Sequence, residues 1–168
     1  TAKQFILCPT YYSLDPVLEK LFGKMPEDYL GKLGRELDPK VRLFWTGELV
    51  CSKTYSEEHL RSAASFLGRK PFLWDNYPVN DGPRMCKFLH LRPMTGRPAA
   101  MGNWLSAHAV NPMNQGALSK IVLLTLKMSY DQGDAYKAEA AFLRAAETVT
   151  CRELALQLEK DLPSFMDK

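Results

Sequence analysis

Phe72-Leu73-Trp74-Asp75-Asn76-Tyr77-Pro78-Val79-Asn80-Asp81 is the stretch from which the rest of the sequence is read. Pro71 opens it, and Phe72, Leu73 and Trp74 form a short apolar run with strand character. The run then turns polar: Asp75, Asn76, Asn80 and Asp81 place amides and carboxylates around the stiff Tyr77-Pro78 pair. In parallel α/β proteins such groups gather at the carboxyl edge of the sheet, where ligands bind. The same residues also suit a plain turn, because Asn, Asp and Pro dominate turns.

The flanking sequence favours the first reading. Residues 4–8, around Phe5, Ile6 and Leu7, predict a buried strand that Pro9 ends. Asp15-Pro16 predicts a helix start. A second helix is expected over residues 27–37, a strand over 41–45, and a helix opened by a Thr54-x-x-Glu57 capping box and closed by Gly68. The third strand is 72–74. A loop follows, then a fourth strand over 105–110 and a helix over 115–129. This alternation predicts parallel β/α units. After Gly133 the pattern is helical only, with an alanine-rich segment and a helix opened by a Thr150-x-x-Glu153 box. The expected boundary therefore divides 1–132 from 133–168.

The 168 residues carry 24% charged side chains and a net charge of +3, with no basic run, so no nucleic-acid footprint is expected. No apolar stretch reaches membrane-spanning length, and no membrane association is expected. Cys8, Cys51, Cys86 and Cys151 are scattered without a Cys-x-x-Cys pair, which favours reduced thiols and a cytoplasmic setting. His59, His90 and His108 lack ligand spacing, so no metal is expected, and no cofactor is implied. The chain opens Thr1-Ala2-Lys3, the expectation being that it begins inside a larger protein.

Each expected strand ends in polar or special residues. A parallel sheet would bring Tyr12, Thr46, Asn76, Asp81 and Asn111 around one mouth, with Trp45 or Trp74 as a wall. Hydroxyls, amides, a carboxylate and an indole suit a sugar, whereas a phosphate site would want a Gly-rich loop and a lysine. Either tryptophan could instead be core, Asn111 could merely start a turn before Pro112, and Asp81 could be a turn aspartate before Gly82.

Cys8-Pro-Thr-x-Tyr12, Trp45-Thr-Gly47, Trp74-Asp-Asn-Tyr-Pro-Val-Asn-Asp81 and Asn111-Pro-Met113 together resemble the second half of a family 84 glycoside hydrolase, the β-N-acetylglucosaminidases that include the O-GlcNAcases. The resemblance covers residues 4 to about 130. It implies strands five to eight of a (β/α)8 barrel, followed by the start of an all-helical domain. It implies a retaining, substrate-assisted hydrolysis of terminal β-linked GlcNAc on a glycan or glycoprotein. The sugar's own acetamido carbonyl would attack the anomeric carbon, outside the usual two-carboxylate scheme. The two adjacent aspartates that handle protons in that chemistry are expected upstream, since no Asp-Asp occurs here. The chain would thus hold no catalytic residue and would need the N-terminal half of the barrel. By the same resemblance Tyr12 and Asn76 bond the acetamido group, and Trp74 walls its pocket with Cys8 and Thr46 beside it. Asp81 binds outer hydroxyls and Asn111 adds another bond. Tyr11 departs from a position often acidic in the family, and Gly82 from one often aromatic. A non-catalytic GlcNAc-binding module or inactive relative is the alternative, and an unrelated open-sheet domain a third reading.

Overall fold

A computed structural model describes residues 4–165. The chain forms two compact units: the chain up to Asp75 with Ala100–Ala109, and Asn76–Ala99 with the chain from Val110 onward.

The first unit carries strands β1 (Phe5–Leu7), β2 (Val41–Trp45) and β3 (Phe72–Asp75), with helices α1 (Pro16–Phe22), α2 (Tyr29–Glu36) and α3 (Glu57–Phe66) between them. With β4 (Ala107–Val110) the strands form one sheet in the order β1-β2-β3-β4. β1 and β2 run parallel, as do β2 and β3, with Leu7 opposite Leu43 and Phe44 opposite Phe72. The fold is thus α/β with a parallel sheet. The two-residue strand period sorts the side chains. Leu43 and Trp45 are buried with Leu30 of α2, Ala63 of α3 and Leu67 just after α3. Phe44, Phe72 and Trp74 are half-buried, and the Phe44 ring lies 4.8 Å from each of the other two. β1 corrects an expectation: it is a strand but not a buried one. Phe5, Ile6 and Leu7 are 62%, 44% and 37% exposed, because β1 is an edge strand with a neighbour on one side.

The second unit is built on α4 (Gly116–Gln132), α5 (Ala138–Val149) and α6 (Arg152–Phe165). Ile121 and Val122 of α4, Phe142 and Ala145 of α5 and Ala155 of α6 share a core with Leu91 and Met94. Buried Thr125 ties a loop to this core: its hydroxyl accepts from Met94 N–H at 2.9 Å and donates to the Val122 carbonyl at 2.6 Å. Among the described residues no helix is long and apolar enough to cross a membrane.

Capping follows local chemistry more closely than the motif reading allowed. Asp15 caps α1 as expected, its Oδ1 accepting from Val17 N–H at 2.9 Å. For α3 the cap is Ser56, which accepts from His59 N–H at 3.1 Å, and Thr54 lies outside the helix. Thr150 does not open α6 either. Its hydroxyl donates at 2.7 Å to the Ala146 carbonyl and so closes α5. The expected loop before β4 contains a 3-10 segment, Ala99–Trp104.

Candidate functional site

In the first unit the loop after β1 is joined to the end of β2. Thr46 N–H donates to the Tyr12 carbonyl at 2.9 Å. The Thr46 side chain is 2% exposed, and its one hydroxyl proton serves the Leu49 carbonyl at 3.1 Å and the Tyr12 carbonyl at 3.4 Å. Thr46 therefore holds loops together and can offer a ligand only a lone pair. Tyr12 is half-buried. Burial, with Cys8, Cys51 and Asp15 nearby, raises its phenol above the ordinary value, so it is a protonated donor at neutral pH. Burial likewise raises the Cys8 thiol, and Cys8 Sγ faces its neighbour's carbonyl, 3.8 Å away on Pro9. Tyr11 turns away from this cluster. It is buried against Phe22 and Tyr29 and its hydroxyl donates to the Gly23 carbonyl at 2.8 Å.

The two tryptophans separate. Trp45 is fully buried, stacks on His59 and donates its indole N–H to His59 Nε2 at 3.0 Å. It is core and walls nothing. Trp74 lies on the other sheet face, edge-on to Phe44, half-exposed and available as a wall.

Sequence reasoning missed a pair in this unit. Asp75 is fully buried, and its Oδ2 stands 3.2 Å from Nε2 of His108, whose side chain is 8% exposed. The pair links the last residue of β3 to the second residue of β4. Nothing in the sequence announces it, because it depends on which residues of the two strands lie abreast.

In the second unit Asn111 Nδ2 donates to Asn76 Oδ1 at 3.1 Å, so the two amides expected to bond a ligand meet. Asn80 is different. It is buried, with Nδ2 donating to the Phe88 carbonyl at 3.1 Å and to Gln115 Oε1 at 2.9 Å, while Oδ1 accepts from Asn114 N–H at 2.9 Å. It is a brace, and its hydrogen-bonding capacity is largely spent. The Tyr77-Pro78 peptide is cis, and the Tyr77 hydroxyl donates to the Arg92 carbonyl at 2.9 Å. Asp81 is exposed, and its carboxylate has no partner among the described residues. A turn aspartate would be expected to accept from nearby backbone N–H groups. No cluster of three His, Cys, Asp or Glu able to hold a metal occurs among the described residues.

Comparison with known proteins gives these groups a setting. The family model described as beta-N-acetylglucosaminidase matches residues 1–166. The protein O-GlcNAcases of Rattus norvegicus and Mus musculus are each 29% identical over 126 residues, which is 75% of this chain and 13% of theirs. An O-GlcNAc hydrolase of Thermobaculum terrenum, solved as a point mutant, superposes with a TM-score of 0.83 at 33% identity. That match covers 96% of this chain and 33% of the solved one, so the chain spans only a fraction of the relatives it matches. The chain belongs to the β-N-acetylglucosaminidases, the family 84 glycoside hydrolases.

Proposed function

We propose that the chain is the sugar-binding part of a retaining β-N-acetylglucosaminidase that removes terminal β-linked GlcNAc from a glycan or glycoprotein. Residues 1–132 form strands five to eight of a (β/α)8 barrel, and 133–168 begin the helical domain that follows. The sequential strand order supports a barrel, since doubly wound sheets reverse order at a switch point. In this reading the acetamido oxygen attacks the anomeric carbon as the glycosidic bond breaks, giving an oxazoline, and the leaving oxygen takes a proton from an acid. Water then opens the oxazoline with retention. Tyr12, a protonated phenol, donates to the acetamido oxygen and orients it. Asn76 bonds the acetamido group, while Trp74, Cys8 and Thr46 shape its pocket and keep water out. Asp81 accepts from the outer hydroxyls, and Asn111 steadies Asn76 and adds a hydroxyl bond. The acid/base aspartate pair lies outside this chain, upstream.

The observation that carries the reading is the unpartnered Asp81 carboxylate beyond the paired Asn76 and Asn111 amides. A carboxylate accepting two sugar hydroxyls makes bonds worth about 1.5–3 kcal/mol each. In the full-length protein Asp81→Ala should lower kcat/KM for an aryl β-N-acetylglucosaminide by roughly two to four orders of magnitude, with an unchanged melting temperature. A mutant that melts lower yet keeps its kcat/KM would make Asp81 scaffolding. A full-length protein that binds GlcNAc without turning over the glycoside would instead support a non-catalytic binding module.

A further inference from the structure

Tyr12 and Thr46 follow the carboxyl ends of β1 and β2 in the sequence. The amino ends enclose something else. A cavity of about 420 Å³ lies in the first unit, lined by Gln4 just before β1, Lys40 and Arg42 at the start of β2, Arg69 and Lys70 just before β3, and Ser106 just before β4. Four of these side chains are cationic and none of the lining residues is acidic. The whole chain carries a net charge of only +3, so this concentration is local.

The four cations have different duties. Arg69 Nη1 donates to the Asp38 and Val41 carbonyls at 2.9 and 2.7 Å, and Nη2 to the Gly34 and Leu37 carbonyls at 2.7 and 3.1 Å. All four Nη hydrogens are spent while Nε–H is buried without a hydrogen-bond partner, so Arg69 is a fixed wall whose main contribution is charge. Arg42 leans its guanidinium over the Phe72 ring, 5.9 Å from the centroid. Lys40, Arg42 and Lys70 have no carboxylate partner among the described residues. The nearest acidic neighbour in sequence is Asp38, whose Oδ1 accepts the Lys40 backbone N–H at 2.8 Å. Concave sites lined by charge of one sign focus field lines and concentrate counter-ions. A guanidinium matches an oxyanion bidentately and ammonium groups add point charge, while serine and glutamine supply neutral hydrogen bonds.

We propose that this cavity binds a phosphate group, in a site at the amino ends of the strands. The volume exceeds that of the bare oxyanion and admits a small organic ester, since ligand pockets run to roughly 300–1,000 Å³. Lys40, Arg42 and Lys70 make the contacts and Arg69 fixes the field.

The test is titration of the full-length protein with inorganic pyrophosphate by calorimetry at low salt, where such contacts are least screened. Lys40→Gln/Lys70→Gln should weaken binding by about tenfold or more, the scale of one lost charge-assisted bond. Lys24→Gln/Lys160→Gln removes the same charge elsewhere and should leave it unchanged. Inorganic phosphate and glucose 6-phosphate run alongside: tighter binding of the ester assigns an organic phosphate, equal or weaker binding the free oxyanion. Absence of a binding isotherm at millimolar pyrophosphate would overturn the proposal. So would equal weakening in the two double variants, since the effect would then be net charge alone. Neither result bears on glycoside hydrolysis, so this site and the sugar site stand or fall separately.

Discussion

His59 is held neutral by what surrounds it. Its Nε2 accepts the Trp45 indole N–H, which leaves the proton on Nδ1, 3.6 Å from Glu48. Burial lowers the pKa and Glu48 raises it, burial being the larger effect. The unfolded chain takes up a proton near the ordinary histidine value of about 6.5. The folded chain resists to lower pH, so through that interval the unfolded state binds more protons and stability rises with pH. The contribution is complete above about pH 6.5 and is lost as the pH falls through the folded value. Melting temperatures measured between about pH 7 and pH 5 should therefore fall more steeply for wild type than for His59→Gln. Parallel curves would mean that His59 titrates alike in both states. The Trp45–His59 bond also shows what was hidden at this scale. Trp45 and Trp74 both end a strand before polar residues and read alike in the sequence. They differ because Trp45 faces Leu73 across β2 and β3, which puts Trp74 on the alternate face. Cross-strand register decides this, and no single strand states its register.

Element boundaries were legible wherever one residue could do the capping and blurred where two could. Asp15-Pro16 left no rival. Thr54 and Ser56 both carried cap chemistry, and Ser56 won because α3 begins at Glu57. Thr150 could serve either helix, and its hydroxyl went to the carbonyl behind it. Least legible was the junction where α2 meets the turn after α3. Gly34 and Gly68 let two backbones approach there: a Cβ on Gly34 would stand 2.5 Å from the Leu67 carbonyl oxygen. Gly68 has φ 63°, the left-handed region that glycine tolerates. Arg69 then seals the Gly34 and Leu37 carbonyls at the end of α2. Read as sequence, Gly34 is only a weak point in a helix, where alanine would be expected to stabilise by about 1 kcal/mol. The packing reverses the sign. Gly34→Ala must push backbone from backbone, and should cost about 1–3 kcal/mol in denaturant unfolding with unchanged helix content. A variant as stable as wild type would show that the junction has slack.

At the scale of the whole chain, the strand–helix alternation foretold a parallel sheet, and the sheet has it. The exposure of β1 was not foretold, because an apolar run reads the same whether or not anything covers it. Phe5, Ile6 and Leu7 lie on an edge strand whose outer N–H and C=O groups face no strand among the described residues. Phe44, Phe72 and Trp74 add half-exposed rings on the sheet face away from the helices. Apolar, unblocked edges are templates for pairing with another chain, and a lysine on the edge is the usual guard. Produced alone, the 168-residue chain should self-associate, its sedimentation coefficient rising with concentration across the micromolar range. Ile6→Lys should suppress that rise without altering the far-ultraviolet dichroism. The same preparation should fail to hydrolyse an aryl β-N-acetylglucosaminide at enzyme-like rates, since general acid–base assistance alone is worth about 10²- to 10⁴-fold and no two aspartates are adjacent in the sequence. A monomer at every concentration would mean that the β1 edge is closed in solution. Turnover by the isolated chain would mean that the acid and base lie within it, and attention would pass to the buried carboxylate–imidazole pair Asp75 and His108.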